Sequence, residues 1–129
     1  MPETTRREDR ENLFHTVYEA QMKEIGCVEI LESKTNTSDF VTLMCKYIDE
    51  NNDDVKNFYT PHLNNWTWDR LPALDKSILT IAYSEVKYMD TPFPVVCNEA
   101  VEIAKTYSSE QSYKFVNAIL KHLEGVKND

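Results

Sequence analysis

The chain has 129 residues, 41% of them hydrophobic and 28% charged, a balance typical of one soluble globular domain. No apolar run approaches about 18 residues, and the N-terminal segment lacks the apolar core of a signal peptide. We therefore expect no membrane span, and we place the protein in the cytoplasm. We also expect a single domain over residues 1–129, frayed at about 1–5 and 124–129.

The residues that could carry catalysis or hold a metal are scattered along the chain. The three cysteines and three histidines form no CxxC pair and no cluster of four ligands; they are Cys27, Cys45, Cys97, His15, His62 and His122. We expect reduced thiols, no metal site and no cofactor. No nucleophile–base pair and no glycine-rich phosphate loop is evident, so the sequence does not predict an enzyme.

The net charge of −8 argues against strong nonspecific binding of nucleic acid by this chain alone. Its distribution is uneven, because residues 1–90 carry −7 whereas residues 91–123 carry three lysines against three glutamates and are neutral. An acidic run from Asp49 to Asp54 could recruit a basic partner, although a solvated junction between helices is the favoured interpretation.

The first half of the chain predicts three helices. Thr5 and Glu8 are spaced as a capping box, apolar residues then recur at helical spacing as far as Ile25, and Gly26 is the expected stop. Residues 32–38 are polar and predict a loop. A second helix begins at Ser38 or Asp39 and is interrupted at 51–52, and a third covers about 53–63, where Pro61 either distorts it or ends it.

The second half predicts a short helical turn over 66–71 and three more helices. Pro72 suits the first turn of a helix over about 73–88, and a stiff, proline-containing connection leads to another over about 94–107. The last helix begins at Ser109 or Glu110 and reaches Leu123. Because no segment predicts a strand and few residues are glycine, we expect an all-α, compact single-domain bundle of six or seven helices.

Three arginines cluster at the start of the first helix. Arg6, Arg7 and Arg10 occupy positions i, i+1 and i+4 and could bind phosphates through bidentate hydrogen bonds. Alternatively, they form a solvated face paired with the acidic residues between positions 3 and 11. Tyr18 lies on the apolar side of the same helix, where core packing is the favoured interpretation.

A second candidate cluster lies at the start of the last helix. Lys114 and Asn117 are three residues apart and share a face, which suits either RNA contact or, for Asn117, a buried tie between helices. Phe115 lies off the apolar stripe and could anchor a protein partner or make a further core contact. Glu99 and Lys105 are expected to be structural, because each carries the charge that its end of the helix dipole favours.

The chain resembles the NusB family of bacterial transcription antitermination factors. The matching segments are NNWTWDRLPALDKSILTIAYSE at 64–85, DTPFPVVCNEAVEIAK at 90–105 and SSEQSYKFVNAIL at 108–120, together with Arg10, Glu11, Tyr18 and Gln21 in the first helix. The resemblance implies an all-helical fold. It also implies an RNA-binding factor that acts with a ribosomal protein, NusE, on boxA RNA, helping RNA polymerase to read through terminators during rRNA transcription.

The resemblance assigns expected roles to individual residues. It implies RNA contacts for six of them: Arg6, Arg7, Arg10, Tyr18, Lys114 and Asn117. It implies NusE contacts for Asp75, Gln111 and Phe115, with Gln111 standing where an acidic residue is more common in the family. Glu8 and Asp9 depart from the more basic family pattern, which puts the affinity for RNA in question but not the site itself.

The alternative function is a protein-interaction module, or a homodimer of the same fold, with weak or lost RNA binding. The sparse basic charge motivates this alternative. The resemblance leaves the oligomeric state open, because the family includes both monomers and homodimers.

Overall fold

A computed structural model describes residues 4–35 and 37–126, and these form seven α-helices and no strand. The α-helices are α1 Arg6–Lys23, α2 Cys27–Leu31, α3 Asp39–Glu50, α4 Asn52–Tyr59, α5 Ala73–Tyr88, α6 Phe93–Tyr107 and α7 Glu110–Leu120. Three short 3-10 helices cover Thr60–His62, Trp68–Arg70 and Lys121–Gly125. The all-α prediction is confirmed.

Helix α5 is the centre of the bundle and packs against α1, α3, α4, α6 and α7. Every residue from 77 to 86 is buried, including polar ones, so α5 has no solvent face over this stretch. The sequence predicted only an apolar stripe along it. A helix surrounded on all sides must satisfy its buried polar groups internally, and this requirement shapes the candidate site.

Helix α1 begins as predicted and ends before the predicted stop. Thr5 and Glu8 form the reciprocal capping box. The helix ends at Lys23, because Glu24 adopts the left-handed conformation with φ of 56° and closes the last turn. The prediction that Gly26 stops this helix was therefore wrong; Gly26 has φ of −75° and is the N-cap of α2, a helix that the sequence analysis did not identify.

The remaining boundaries follow the sequence closely. Pro61 ends the α-helical part of the third predicted helix, since α4 stops at Tyr59 and continues only as a 3-10 turn. The short turn expected over 66–71 is the 3-10 helix Trp68–Arg70. Of the termini expected to fray, residues 1–3 and 127–129 lie outside the described residues, whereas Thr5 caps α1 and residues 121–125 form a 3-10 helix.

Asp49, the first residue of the acidic run, caps α2 from the end of α3. Its two carboxylate oxygens accept hydrogen bonds from the backbone N–H of Cys27, at 2.8 Å, and of Val28, at 2.9 Å. A Cβ at Gly26 would lie 2.9 Å from Asp49 Oδ2, so glycine allows the carboxylate to approach. Part of the acidic run is therefore a structural cap that joins two helices.

Replacing Asp49 with alanine should lower the free energy of unfolding by about 1–2 kcal/mol, because two backbone donors of α2 lose their acceptor. Urea denaturation monitored by circular dichroism measures this. The neighbouring Glu50 is exposed and provides the control, since Glu50→Ala should change stability by less than about 0.5 kcal/mol. Equal effects of the two substitutions would show that the carboxylate of Asp49 contributes nothing specific.

Candidate nucleic-acid and partner interface

The three arginines of α1 point toward three different partners. The guanidinium carbon of Arg6 lies 4.1 Å from the centroid of the Phe40 ring, while the side chain stays exposed. Arg7 donates from Nε and Nη2 to the carboxylate of Glu99 on α6, at 3.2 and 3.3 Å. Arg10 turns inward. The sequence cluster therefore becomes two exposed cations and one buried one.

Arg10 forms a buried ion pair with Glu85 of α5. Nε of Arg10 lies 2.9 Å from Oε1 and Nη2 lies 2.5 Å from Oε2, and the two side chains are 8% and 2% exposed. The hydrogen bond to Glu85 is the main reason that the pKa of Arg10 is raised, and the charge of Glu99, 3.6 Å from Nη1, adds to it. Because these donors face the interior, Arg10 does not fit the direct phosphate contact expected for it.

The two acidic residues next to the arginines, Glu8 and Asp9, form hydrogen bonds within the N-terminal end of α1. Glu8 folds back so that Oε1 accepts from the backbone N–H of Thr5, at 3.2 Å. Asp9 is buried and accepts a hydrogen bond from the Thr4 hydroxyl. Neither carboxylate forms an ion pair with Arg6 or Arg7 in the described part of the chain.

A groove lies between the first two turns of α1 and the C-terminal half of α6. It encloses about 140 Å³ and is lined by Arg7, Arg10, Glu11, Glu99, Glu102, Ile103, Thr106 and Tyr107. The hydroxyl of Tyr107 donates to Glu11 Oε1 at 2.8 Å and lies 3.2 Å from Nε2 of His15. The hydrogen bond to Glu11 raises the pKa of Tyr107.

Aromatic side chains continue this surface along α1. Tyr18 is half-buried, and its ring stacks on Phe14 at a centroid distance of 6.3 Å. Phe14 in turn stacks on Tyr107, at 5.0 Å. His15 and Tyr107 were missed by the sequence analysis. The signal was present for His15, because residues 7, 11, 15 and 18 recur at helical spacing and form one stripe.

The candidate residues of α7 lie on a separate helix, which packs against α6 and α5. Lys114 is 72% exposed, and its Nζ is 3.7 Å from Glu110 Oε1, a loose surface pair. Asn117, one turn further along, is half-buried. These two residues are accessible from one side of the helix. Lys105 lies with its Nζ 5.7 Å from the Tyr113 ring centroid and so ties α6 to α7.

The expected partner residues meet where α5 and α7 begin. Asp75 is 3% exposed; burial raises its pKa, and a hydrogen bond with Ser112 of α7 opposes that change. Its Oδ1 has no hydrogen-bond partner among the described residues. Gln111 is exposed, and Phe115, four residues later on the same face, is half-buried against the core. Asp75 thus meets α7 through Ser112, and of the three residues Gln111 and Phe115 are the accessible ones.

Comparison with known proteins identifies the family. The family model described as "NusB family" matches residues 7–124. The chain belongs to the NusB family. It is 31% identical over 121 residues to the transcription antitermination protein NusB of Listeria monocytogenes, covering 92% of this chain and 94% of that protein. It is 30% identical over 128 residues to the corresponding protein of Staphylococcus haemolyticus, covering 93% and 99%.

Solved NusB structures share the fold. NusB from T. maritima superposes with a TM-score of 0.88 at 26% identity, covering 99% of this chain and 96% of that one. A chain from a crystal structure of the antitermination factors NusB and NusE in complex with dsRNA superposes with a TM-score of 0.77 at 19% identity, covering 92% and 95%. The resemblance seen in the sequence motifs is thus confirmed for the family and for the fold.

The part of the chain that the structure describes shows neither a metal-binding cluster nor a membrane-spanning helix. No group of three or more His, Cys, Asp or Glu side chains is arranged to hold a metal ion, and the three cysteines are free. Among residues 4–35 and 37–126, no helix has both the length and the apolar character needed to cross a membrane.

Glu85→Gln should lower the free energy of unfolding by about 3–5 kcal/mol, because it leaves the buried guanidinium of Arg10 without its main counter-charge. Equilibrium urea unfolding measures the change. Arg7→Ala is the matched control: it removes an exposed pair, so the expected loss is below about 1 kcal/mol. A loss from Glu85→Gln no larger than that of the control would contradict the structural role given to Arg10.

Proposed function

We propose that the chain is a transcription antitermination factor that binds boxA-type RNA together with NusE and promotes read-through by RNA polymerase during rRNA transcription. Family membership over residues 7–124 carries this proposal. Relatives of nearly the same length are named transcription antitermination protein NusB, and the NusB of one solved structure is in complex with NusE and dsRNA. The protein acts in the cytoplasm, and its role is recognition rather than catalysis.

The RNA face comprises the exposed first turn of α1, the stacked aromatic surface behind it and the accessible side of α7. Arg6 and Arg7 contact phosphates, and Tyr18 stacks on a base, a contact typically worth about 1–3 kcal/mol. Lys114 and Asn117 extend the contact from α7. Arg10 supports this face from below by fixing α1 to α5, rather than by touching the RNA.

The partner face lies at the start of α5 and α7. Phe115 offers a half-buried aromatic ring and Gln111 offers an exposed amide, whereas the carboxylate of Asp75 is buried at this face and supports it from within. A basic partner suits this face, since the chain carries a net charge of −8. Such a partner also supplies the positive charge that RNA binding requires and that this chain lacks.

A labelled boxA-type RNA oligonucleotide should bind this protein weakly alone and at least about tenfold more tightly when NusE is added, because two weak contacts with one RNA combine. Fluorescence anisotropy with and without NusE measures the gain. NusE alone, titrated in parallel, is the control for RNA binding by the partner. An affinity for RNA no higher with both proteins together than with either alone would contradict the proposal.

A protein-interaction module or homodimer of the same fold, with weak or lost RNA binding, is the second candidate. The observation that favours it is the internal pairing of two arginines, Arg7 with Glu99 and Arg10 with Glu85. Under this alternative, the α1 arginines stabilise the fold and their exposed members have no ligand.

Substituting Arg6 and Arg7 together by alanine separates the two functions. If they contact phosphates, the affinity for boxA-type RNA in the presence of NusE should fall several-fold and the slope of log affinity against log salt should decrease by about 1–2. Arg70→Ala, at an exposed arginine in the 3-10 helix Trp68–Arg70, removes one cation outside the proposed face and is the control. Unchanged RNA affinity in the double variant would favour the interaction module.

A further inference from the structure

Arg7 is the most exposed member of a charge network, yet its guanidinium already holds a carboxylate. Its side chain is 66% exposed, whereas that of Glu99 is 15% exposed, so the acid is built into the protein and the arginine reaches over it. Two donors of Arg7 meet the two oxygens of Glu99, at 3.2 and 3.3 Å. A phosphate would engage the same fork of donors in the same bidentate manner.

Glu99 has a second cation within reach. Nη1 of Arg10 lies 3.6 Å from Glu99 Oε1, on the buried side of the carboxylate. Arg10 itself is fixed by Glu85 and does not follow Arg7 outward. If Arg7 turns toward another anion, Glu99 therefore keeps a positive neighbour, and the exchange does not leave a half-buried carboxylate without a counter-charge.

Arg6 differs from Arg7 in this respect. Its guanidinium packs against the face of Phe40, 4.1 Å from the ring centroid, and it makes no ion pair with a described residue. Stacking on a ring face leaves the N–H groups at the guanidinium edge available to an anion. Among the described residues, the donors of Arg6 have no carboxylate partner, whereas those of Arg7 are occupied by Glu99.

We infer that Glu99 acts as an internal competitor for the RNA phosphate at Arg7. In the free protein the carboxylate occupies the guanidinium fork; on RNA binding a phosphate displaces it, and Glu99 retains Arg10. This inference rests on the proposed function and adds a residue that limits RNA affinity. It gives a local physical reason for weak binding by the protein alone, since part of the binding energy at Arg7 is used to break an existing pair.

Glu99→Gln should tighten the binding of boxA-type RNA, with NusE present, by roughly two- to fivefold, the range expected for removing one exposed ion pair. Glu102→Gln is the matched control. It lies three residues along the same helix, lines the same groove and pairs with Lys105, at 3.9 Å. Because Glu102 lies in the same groove but does not pair with Arg7, its substitution reports the general effect of removing one negative charge near the RNA, and the gain from Glu99→Gln should exceed it.

The Arg7→Ala/Glu99→Gln double variant tests whether the effect passes through Arg7. In the Arg7→Ala background, Glu99→Gln should lose its gain and match Glu102→Gln. A gain that persists without Arg7, or one equal to that of the control, would overturn the inference, because it would reflect only the removal of a negative charge near RNA.

NMR provides a readout that does not depend on the stability of Glu99→Gln. In the wild-type protein, the Nε–H signal of Arg7 should shift when boxA-type RNA and NusE are added, while that of Arg10 stays in place. An unmoved Arg7 signal in a complex that does form would overturn the inference and leave the proposed function standing. Failure of the wild-type protein to bind RNA even with NusE would instead overturn the proposed function.

Discussion

The buried pair of Arg10 and Glu85 is the constraint on which the arrangement of the candidate site depends. A charge inside a protein is tolerated only with a counter-charge and with its hydrogen-bonding groups satisfied. Glu85 lies on α5, which is enclosed on all sides, and the guanidinium of Arg10 supplies three hydrogen bonds to it. The first turns of α1 are thereby fixed against α5, in one rotational setting. That setting directs Arg7 toward Glu99 and leaves Arg6 over Phe40.

This constraint explains how an acidic protein can present a surface suited to RNA. The acids closest to the exposed arginines are each held in place: Glu8 by the cap, Asp9 by burial, and Glu99 by two guanidinium groups. The surface at the start of α1 therefore has a net charge close to zero, and α7 adds the exposed Lys114. A neutral surface binds a polyanion weakly, so affinity must come from a second source of positive charge. The proposed dependence on a basic partner is consistent with this charge distribution and needs no special conformational state.

The sequence predicted most helices correctly because their signals are local. The capping box, Pro61 and the apolar periodicity of α5 each act within a few residues. The five-residue α2 escaped prediction, since a helix this short has little periodicity and its cap, Asp49, lies more than 20 residues away along the chain. The i, i+1, i+4 spacing of the arginines predicted that they share a helix, but it did not predict which acidic residues they pair with. Glu85 and Glu99 are 75 and 92 residues away, and only the tertiary fold brings them together.

Helix α5 connects the two proposed faces, with Asp75 in its first turn and Glu85, the buried partner of Arg10, near its end. Ten residues of α-helix separate them by about 15 Å. The stretch between is packed on all sides, so α5 acts as a rigid spacer rather than as an element with two arrangements. Under the proposed function, a partner docked at the start of α5 would therefore influence RNA at Arg7 through its own charge and its own contacts with the RNA. The two faces would then cooperate because the protein and its partner bind the same RNA and the partner adds positive charge. This cooperation would weaken as the salt concentration rises.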